Sequence, residues 1–356
     1  MKKKVYLTLE NGKTFQGYSF GATGEAIGEL VFSTGMVGYM ETLTDPANYG
    51  QIVVQTFPLI GNYGAIEKDV ESDKAWVSAY VVREICDNPS NFRCEGLLEE
   101  YLKKQGVIGI YGVDTRELTK IVRETGVVNA KISNKPLTDE EIKALKTFSV
   151  KNSMAEVCVT TRKEHGNNTA EYKVALWNFG AKNSTIQAFV NRGCYVIDMP
   201  ASSTAEELLS LDVDGVVVAG EVNYPEESCV AVEEMKKLLG KIPVFGIDFG
   251  HLLTAVALGA KVKKQKYGHR GGNQPVKCVD CGRVYVSSQN HGYEVVSSTV
   301  KEGYVKFVNV NDGSCEGIDY PTLRSFTVQF APEACDLGNV ENPLYKKFFA
   351  LMRKEK

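Results

Sequence analysis

Ile242-Pro-Val-Phe-Gly-Ile-Asp-Phe-Gly-His251 decides the fold of the chain's second half. Ile242–Gly246 is a short apolar run of strand type, and a helical pattern, His251–Leu258, begins soon after it. Gly246 and Gly250 flank Asp248 with the Gly-x-nucleophile-x-Gly spacing of a nucleophile elbow. In an elbow the central residue sits on a strained turn and offers its side chain at a helix N-terminus, where amides can hold an oxyanion. Here that residue is Asp rather than Ser or Cys. On the local pattern alone, an ordinary strand–turn–helix junction with Asp248 as N-cap is the simpler reading.

Outward from this junction the second half reads as βαβ units. Strands are expected at Lys173–Trp177, Cys194–Asp198 and Asp214–Ala219, the last almost wholly apolar, as a strand covered on both faces should be. Helices are expected at Ser184–Arg192, Thr204–Leu211 and Cys229–Gly240. Later strands (Val284–Ser287, Val305–Val310, Ser325–Phe330) and a helix, Pro343–Lys354, complete the half.

The first half is different in kind. Val5–Leu9 runs into Asn11-Gly12, a hairpin signal, and Glu29–Ser33, Gln51–Gln55 and Trp76–Val82 are further strand candidates. Leu97–Lys104 and Thr115–Thr125 have helical spacing. This mixture lacks the regular alternation of a doubly wound sheet. Between the halves, residues 135–170 are polar and read as a helical segment followed by a linker.

The whole chain has 356 residues, 43% hydrophobic and 24% charged, which suits about two domains of ordinary globular type. A net charge of −3 argues against a nucleic-acid partner. No apolar run approaches the roughly 20 residues that span a bilayer, and the basic start at Met1–Lys4 leads into a strand-like alternation instead of a signal-peptide core. Nine scattered cysteines, an odd number, point to a reducing cytoplasm rather than a disulfide framework. Cys278 and Cys281 form a CxxC, but no second pair completes a zinc site, and a turn between two strands is the preferred reading.

Longer blocks carry a resemblance. Thr34-Gly-Met-Val-Gly-Tyr-Met-Glu-Thr-Leu-Thr-Asp-Pro46, Pro58-Leu-Ile-Gly-Asn-Tyr-Gly64, Gly112-Val-Asp-Thr-Arg-Glu-Leu-Thr119, Lys266–Val276 and Ser288-Gln-Asn-His-Gly-Tyr293 resemble, in order, the small-subunit family of carbamoyl-phosphate synthase. The C-terminal half of that family is a class I glutamine amidotransferase. The resemblance implies an α/β fold: a mixed β/α domain at 1–150, a linker at 151–171, and a three-layer amidotransferase-like domain with a mainly parallel sheet at 172–356. It also implies a large-subunit partner that uses ATP and Mg, a product for pyrimidine or arginine synthesis, and no cofactor or metal in this chain.

Family members hydrolyse glutamine with an elbow Cys, a His that activates it and a Glu that orients the His. The triad positions here hold Asp248, Ala331 and Glu333, the last two within Gln329-Phe-Ala331-Pro-Glu333. The glycine-rich oxyanion loop reads Gly220-Glu-Val-Asn-Tyr-Pro225, with Glu221 and Asn223 in place of glycines. Asn290, Gly292 and Tyr293 match positions lining the glutamine pocket, and Phe249 matches an apolar pocket position. Leu252 stands where a glutamine-contacting Gln is expected. His251 should point into its helix turn, and His269 and His291 read as structural histidines rather than catalysts or ligands. Cys335, a loop thiol without a base, reads as inert. The expectation is a small subunit with a silent glutaminase centre that supports an ammonia-using synthetase subunit. The alternatives are a hydrolase using Asp248 as nucleophile or metal ligand, and a sensor that keeps the pocket to bind glutamine or a related small molecule.

Overall fold

The computed structural model describes residues 3–220, 222, 229–336 and 342–353. The chain divides into two units, Met1–Ser153 and Met154–Lys356. No helix among the described residues is long and apolar enough to cross a membrane.

The first unit runs β1 (Lys4–Leu9), β2 (Thr14–Gly21), β3 (Ala26–Ser33), α1 (Tyr39–Thr44), β4 (Gln51–Gln55), β5 (Leu59–Ile60), β6 (Ala79–Val82) and β7 (Glu84–Ile85). It continues α2 (Leu98–Lys104), β8 (Ile108–Tyr111), α3 (Thr115–Thr125), β9 (Val128–Ser133) and α4 (Asp139–Lys146). Seven of these strands close a barrel in the order β1-β2-β8-β6-β4-β3-β9. Gly12, at φ 87°, makes the left-handed step of the β1–β2 turn. Strand alternation sorts side chains to two cores. Ile52 and Val54 join Leu7, Ile110, Ala130 and Ile132 in one. Val53 points the other way, to Tyr39, Leu43, Tyr80 and Leu98. The expected strand from Trp76 starts only at Ala79, because Val77 makes a single isolated bridge to Tyr49.

The second unit comprises α5 (Ser153–Val157), which starts at the boundary, then β10 (Lys163–His165), β11 (Tyr172–Phe179), α6 (Asn183–Val190), β12 (Cys194–Pro200), α7 (Ala205–Ser210) and β13 (Gly215–Gly220). Next come α8 (Cys229–Leu238), β14 (Val244–Asp248), α9 (Phe249–Ala257), β15 (Val262–Cys278), β16 (Val284–Val295), β17 (Tyr304–Asn309), β18 (Cys315–Tyr320), β19 (Ser325–Val328), β20 (Ala331–Asp336) and α10 (Pro343–Met352). The strands form one sheet, β10-β12-β11-β13-β14-β19-β18-β17-β15-β16-β20. From β12 to β19 neighbours run parallel, the pattern that βαβ crossovers impose, and β18 onward is an antiparallel extension. On one face, Phe189 of α6 and Tyr345 and Phe348 of α10 pack on Val174, Leu176, Val217 and Phe245. Helix α9 lies against β13 and β14 and touches α8, which supplies the third layer. The polar stretch read as a linker contributes β10, paired antiparallel to β12. The Cys278/Cys281 pair sits on the turn from β15 to β16.

Candidate functional site

Strand β14 delivers Asp248 beside Gly220, its register partner at the end of β13. Two glycines make the junction possible. A Cβ on Gly250 would lie 1.9 Å from the Val218 carbonyl oxygen, and one on Gly246 would lie 2.7 Å from the Gly250 oxygen. Only a bare backbone lets α9 start this close to β13. The chain pays for that approach at Asp248, held at φ 49°, ψ −104°, outside the regions a side chain favours. The sharp turn of a nucleophile elbow is therefore present.

The Asp248 side chain does not cap α9, which corrects the local N-cap reading. Its Oδ1 instead accepts a hydrogen bond from Nε2 of Gln329, which is buried just beyond β19. Gln329 was legible in the block before Ala331 but received no role from the sequence. Its significance is a pairing across 81 residues, for which a linear motif gives no signal. Two residues further on, Ala331 is buried at the start of β20, opposite Ser288 of β16, and offers only a methyl group. Glu333 Oε1 accepts from Thr185 Oγ1 at 2.9 Å and Ser184 Oγ at 3.3 Å, so α6 holds it.

The expected pocket residues fall in three surroundings. Phe249 is fully buried against Phe179, with ring centroids 4.9 Å apart, and belongs to the core. Leu252 joins Ala255, Ile318 and Tyr320, and Tyr293 packs on the same cluster. Asn290 lies opposite Arg270, and a Cβ at Gly292 would come within 3.3 Å of the Arg270 guanidinium. Glu221 and Asn223 lie outside the described residues.

His251 and His269 are each held by other partners. His251 reaches across to β19 rather than into its own helix turn, with Nδ1 2.8 Å from Thr327 Oγ1. Burial pushes its pKa down to about 3, so it stays neutral. Its Nε2 lies 4.0 Å from Cys315 Sγ, but burial drives that thiol up to about 12. Both groups are thus uncharged, the reverse of a thiolate–imidazolium couple. His269 lies between Asp312 and Glu316. Burial works against its charge, yet hydrogen bonds to the two carboxylates prevail and raise its pKa to about 9.

Comparison with known proteins agrees with this architecture. Residues 7–132 match the carbamoyl-phosphate synthase small chain, CPSase domain. Residues 175–351 match the class-I glutamine amidotransferase. A carbamoyl phosphate synthase small chain of Clostridium perfringens is 46% identical over 335 residues, 93% of this chain and 95% of that one. A pyrimidine-specific small chain of Bacillus subtilis is 40% identical over 357 residues, 99% of this chain and 96% of the other. One from Fusobacterium nucleatum is 43% identical over 345 residues, 96% of each chain. With both family domains matched, and relatives aligned along nearly their whole length, the chain belongs to the carbamoyl-phosphate synthase small chain family.

Proposed function

We propose that this chain is a carbamoyl-phosphate synthase small chain whose glutamine-hydrolysing centre is silent, and that it acts as a structural and regulatory partner of a large synthetase subunit supplied with free ammonia. The pairing at the elbow carries the reading. Asp248 stands where the family resemblance places a thiol, and Gln329 holds its carboxylate, while Ala331 stands where an imidazole is expected. Amide hydrolysis by this route needs attack on the side-chain carbonyl, a proton for the departing ammonia and an activated water to clear the acyl-enzyme. A carboxylate could in principle attack. A methyl group can neither protonate the leaving nitrogen nor draw a proton from water.

The scaffold around these losses is kept, with both family domains matched. Loss of catalytic groups on an intact scaffold is what a retained assembly role would leave. The test is co-expression with a cognate large chain, followed by size-exclusion chromatography and a carbamoyl phosphate assay. Co-elution, with synthesis from ammonium but not from glutamine, is expected. Separate elution at micromolar concentrations counts against the partnership. Glutamate release that Asp248→Ala abolishes would overturn the silent centre.

A further inference from the structure

Away from the elbow, one buried chain of hydrogen bonds ends at His291 Nε2. Ser287 Oγ donates its one hydrogen to the Gln274 carbonyl at 3.0 Å, so it can only accept from Gln289 Nε2, 3.1 Å away. That fixes the Gln289 amide and turns its Oε1 towards His291 Nε2 at 3.0 Å. On the other side of the ring, His291 Nδ1 lies 2.9 Å from the Tyr293 carbonyl, which only accepts, so Nδ1 carries the proton. With its proton on Nδ1, a neutral His291 presents the Nε2 lone pair on the side of Gln289.

An orphaned acceptor lies close by. Glu316 is fully buried on β18, and its Oε2 has no hydrogen-bond partner among the described residues. One ligand-type atom from each of His269, His291 and Glu316 lies within 4.8 Å of the others. His269 and His291 are direct cross-strand partners on β15 and β16, with ring centroids 5.0 Å apart. The surroundings orient these groups as those of metal ligands usually are. His269 Nε2 is 2.9 Å from Asp312 Oδ2, which leaves Nδ1 directed at Glu316. Asn309 Nδ2 donates to Glu316 Oε1 at 3.2 Å. His269 and Asp312 also line a cleft of about 570 Å³, which gives an ion a way in.

We propose that His269, His291 and Glu316, with the amide oxygen of Gln289, bind a divalent transition-metal ion of the zinc class. A nitrogen- and oxygen-donor set that includes two imidazoles suits such an ion better than magnesium or calcium. The ligands come from three strands of the antiparallel extension, so the ion's role is to clamp β15, β16 and β18. On binding, the ion replaces the proton on His269 Nδ1, which leaves to solvent, and it meets the lone pairs of His291 Nε2 and Gln289 Oε1 together. The sequence marked these histidines as structural, and their hydrogen-bond geometry adds the ligand role.

The test uses the full chain, stripped with a chelator and titrated with Zn²⁺ by calorimetry and with Co²⁺ by absorption. Expected are one ion per chain, a rise in melting temperature, and a Co²⁺ spectrum without thiolate charge transfer, which separates this site from Cys278/Cys281. Glu316→Gln and His291→Ala should each weaken Zn²⁺ binding by more than about 100-fold, and Asp312→Asn, which removes only an orienting group, by roughly 10–100-fold. Circular dichroism checks that each variant folds. If one does not, the wild-type Co²⁺ spectrum and the mild Asp312→Asn variant decide alone. No stoichiometric binding, a thiolate spectrum, or affinity unchanged in every folded variant would overturn the proposal.

Discussion

The amide nitrogen of Gln329 donates to the carboxylate of Asp248, tying the segment after β19 to the elbow between β14 and α9. A side chain in the place of a nucleophile is thereby engaged as a structural acceptor. Gln329→Ala should cost about 1–3 kcal/mol, the usual penalty for stripping a partner from a buried polar group. Urea denaturation followed by tryptophan fluorescence measures it. A change below about 0.5 kcal/mol would mean that the bond contributes nothing to the fold.

The glycines of the elbow should be intolerant of even one carbon. Gly250→Ala places a methyl group 1.9 Å from the Val218 oxygen, in backbone that cannot yield without parting α9 from β13. We expect insoluble protein or a loss of at least about 3 kcal/mol, within the upper range for overpacking a core. Gly259→Ala serves as a control for space, since nothing lies within 4 Å of a Cβ there, although its φ of +84° adds its own strain. Equal solubility and stability of the two variants would contradict the close approach.

Acid should weaken the second unit through His251. Its folded pKa of about 3 lies below the ordinary histidine value of about 6.5, so between these limits the unfolded chain binds the extra proton. Stability from this group is whole above pH 6.5 and falls as pH drops towards 3, with a slope approaching about 1.4 kcal/mol per unit. His251→Gln should flatten that part of a pH–stability profile. An unchanged slope in the variant would show that His251 does not titrate as its burial requires.

Rebuilding two triad positions should not rebuild the enzyme. Asp248→Cys with Ala331→His supplies a nucleophile and its base, and Glu333 follows Ala331 by two residues. Glu221 and Asn223 still replace glycines in the loop that should hold the oxyanion. Losing one such donor typically lowers the rate by about 10²–10³. The double variant should remain at least that far below an active family member in a glutamate-release assay. Full activity would show that the loop substitutions are harmless.

The elements that the sequence revealed were those with an unbroken period. Thr115–Thr125 was read with the bounds that α3 has, because its apolar spacing is helical throughout. The 17 residues of β15 were given no bounds, although the reading of Cys278/Cys281 as a turn between two strands implied a strand before it. Its register shifts between Lys264 and His269 and again between Gly271 and Gln274, and each shift breaks the alternation on which strand reading depends. Strand β18 was hidden for another reason: Glu316 and Asp319 are buried within it, so polarity no longer marks the solvent face. At the site, the Gly246/Gly250 spacing was legible because glycines record close backbone approach in the sequence itself. The Gln329–Asp248 bond and the His269–His291–Glu316 cluster join distant strands, and only the fold brings them together.

The closed barrel of the first unit bears on how a partner can be recognised. A sheet that ends in open strands can accept another chain's strand through main-chain hydrogen bonds, a mode of binding largely indifferent to side chains. In the first unit, β9 bonds to both β1 and β3, so the seven-stranded circuit exposes no terminal strand. A protein that docks on the barrel must therefore read side chains. Its specificity is written in the outward loops and helices, where single substitutions can retune it without disturbing the main-chain ladder.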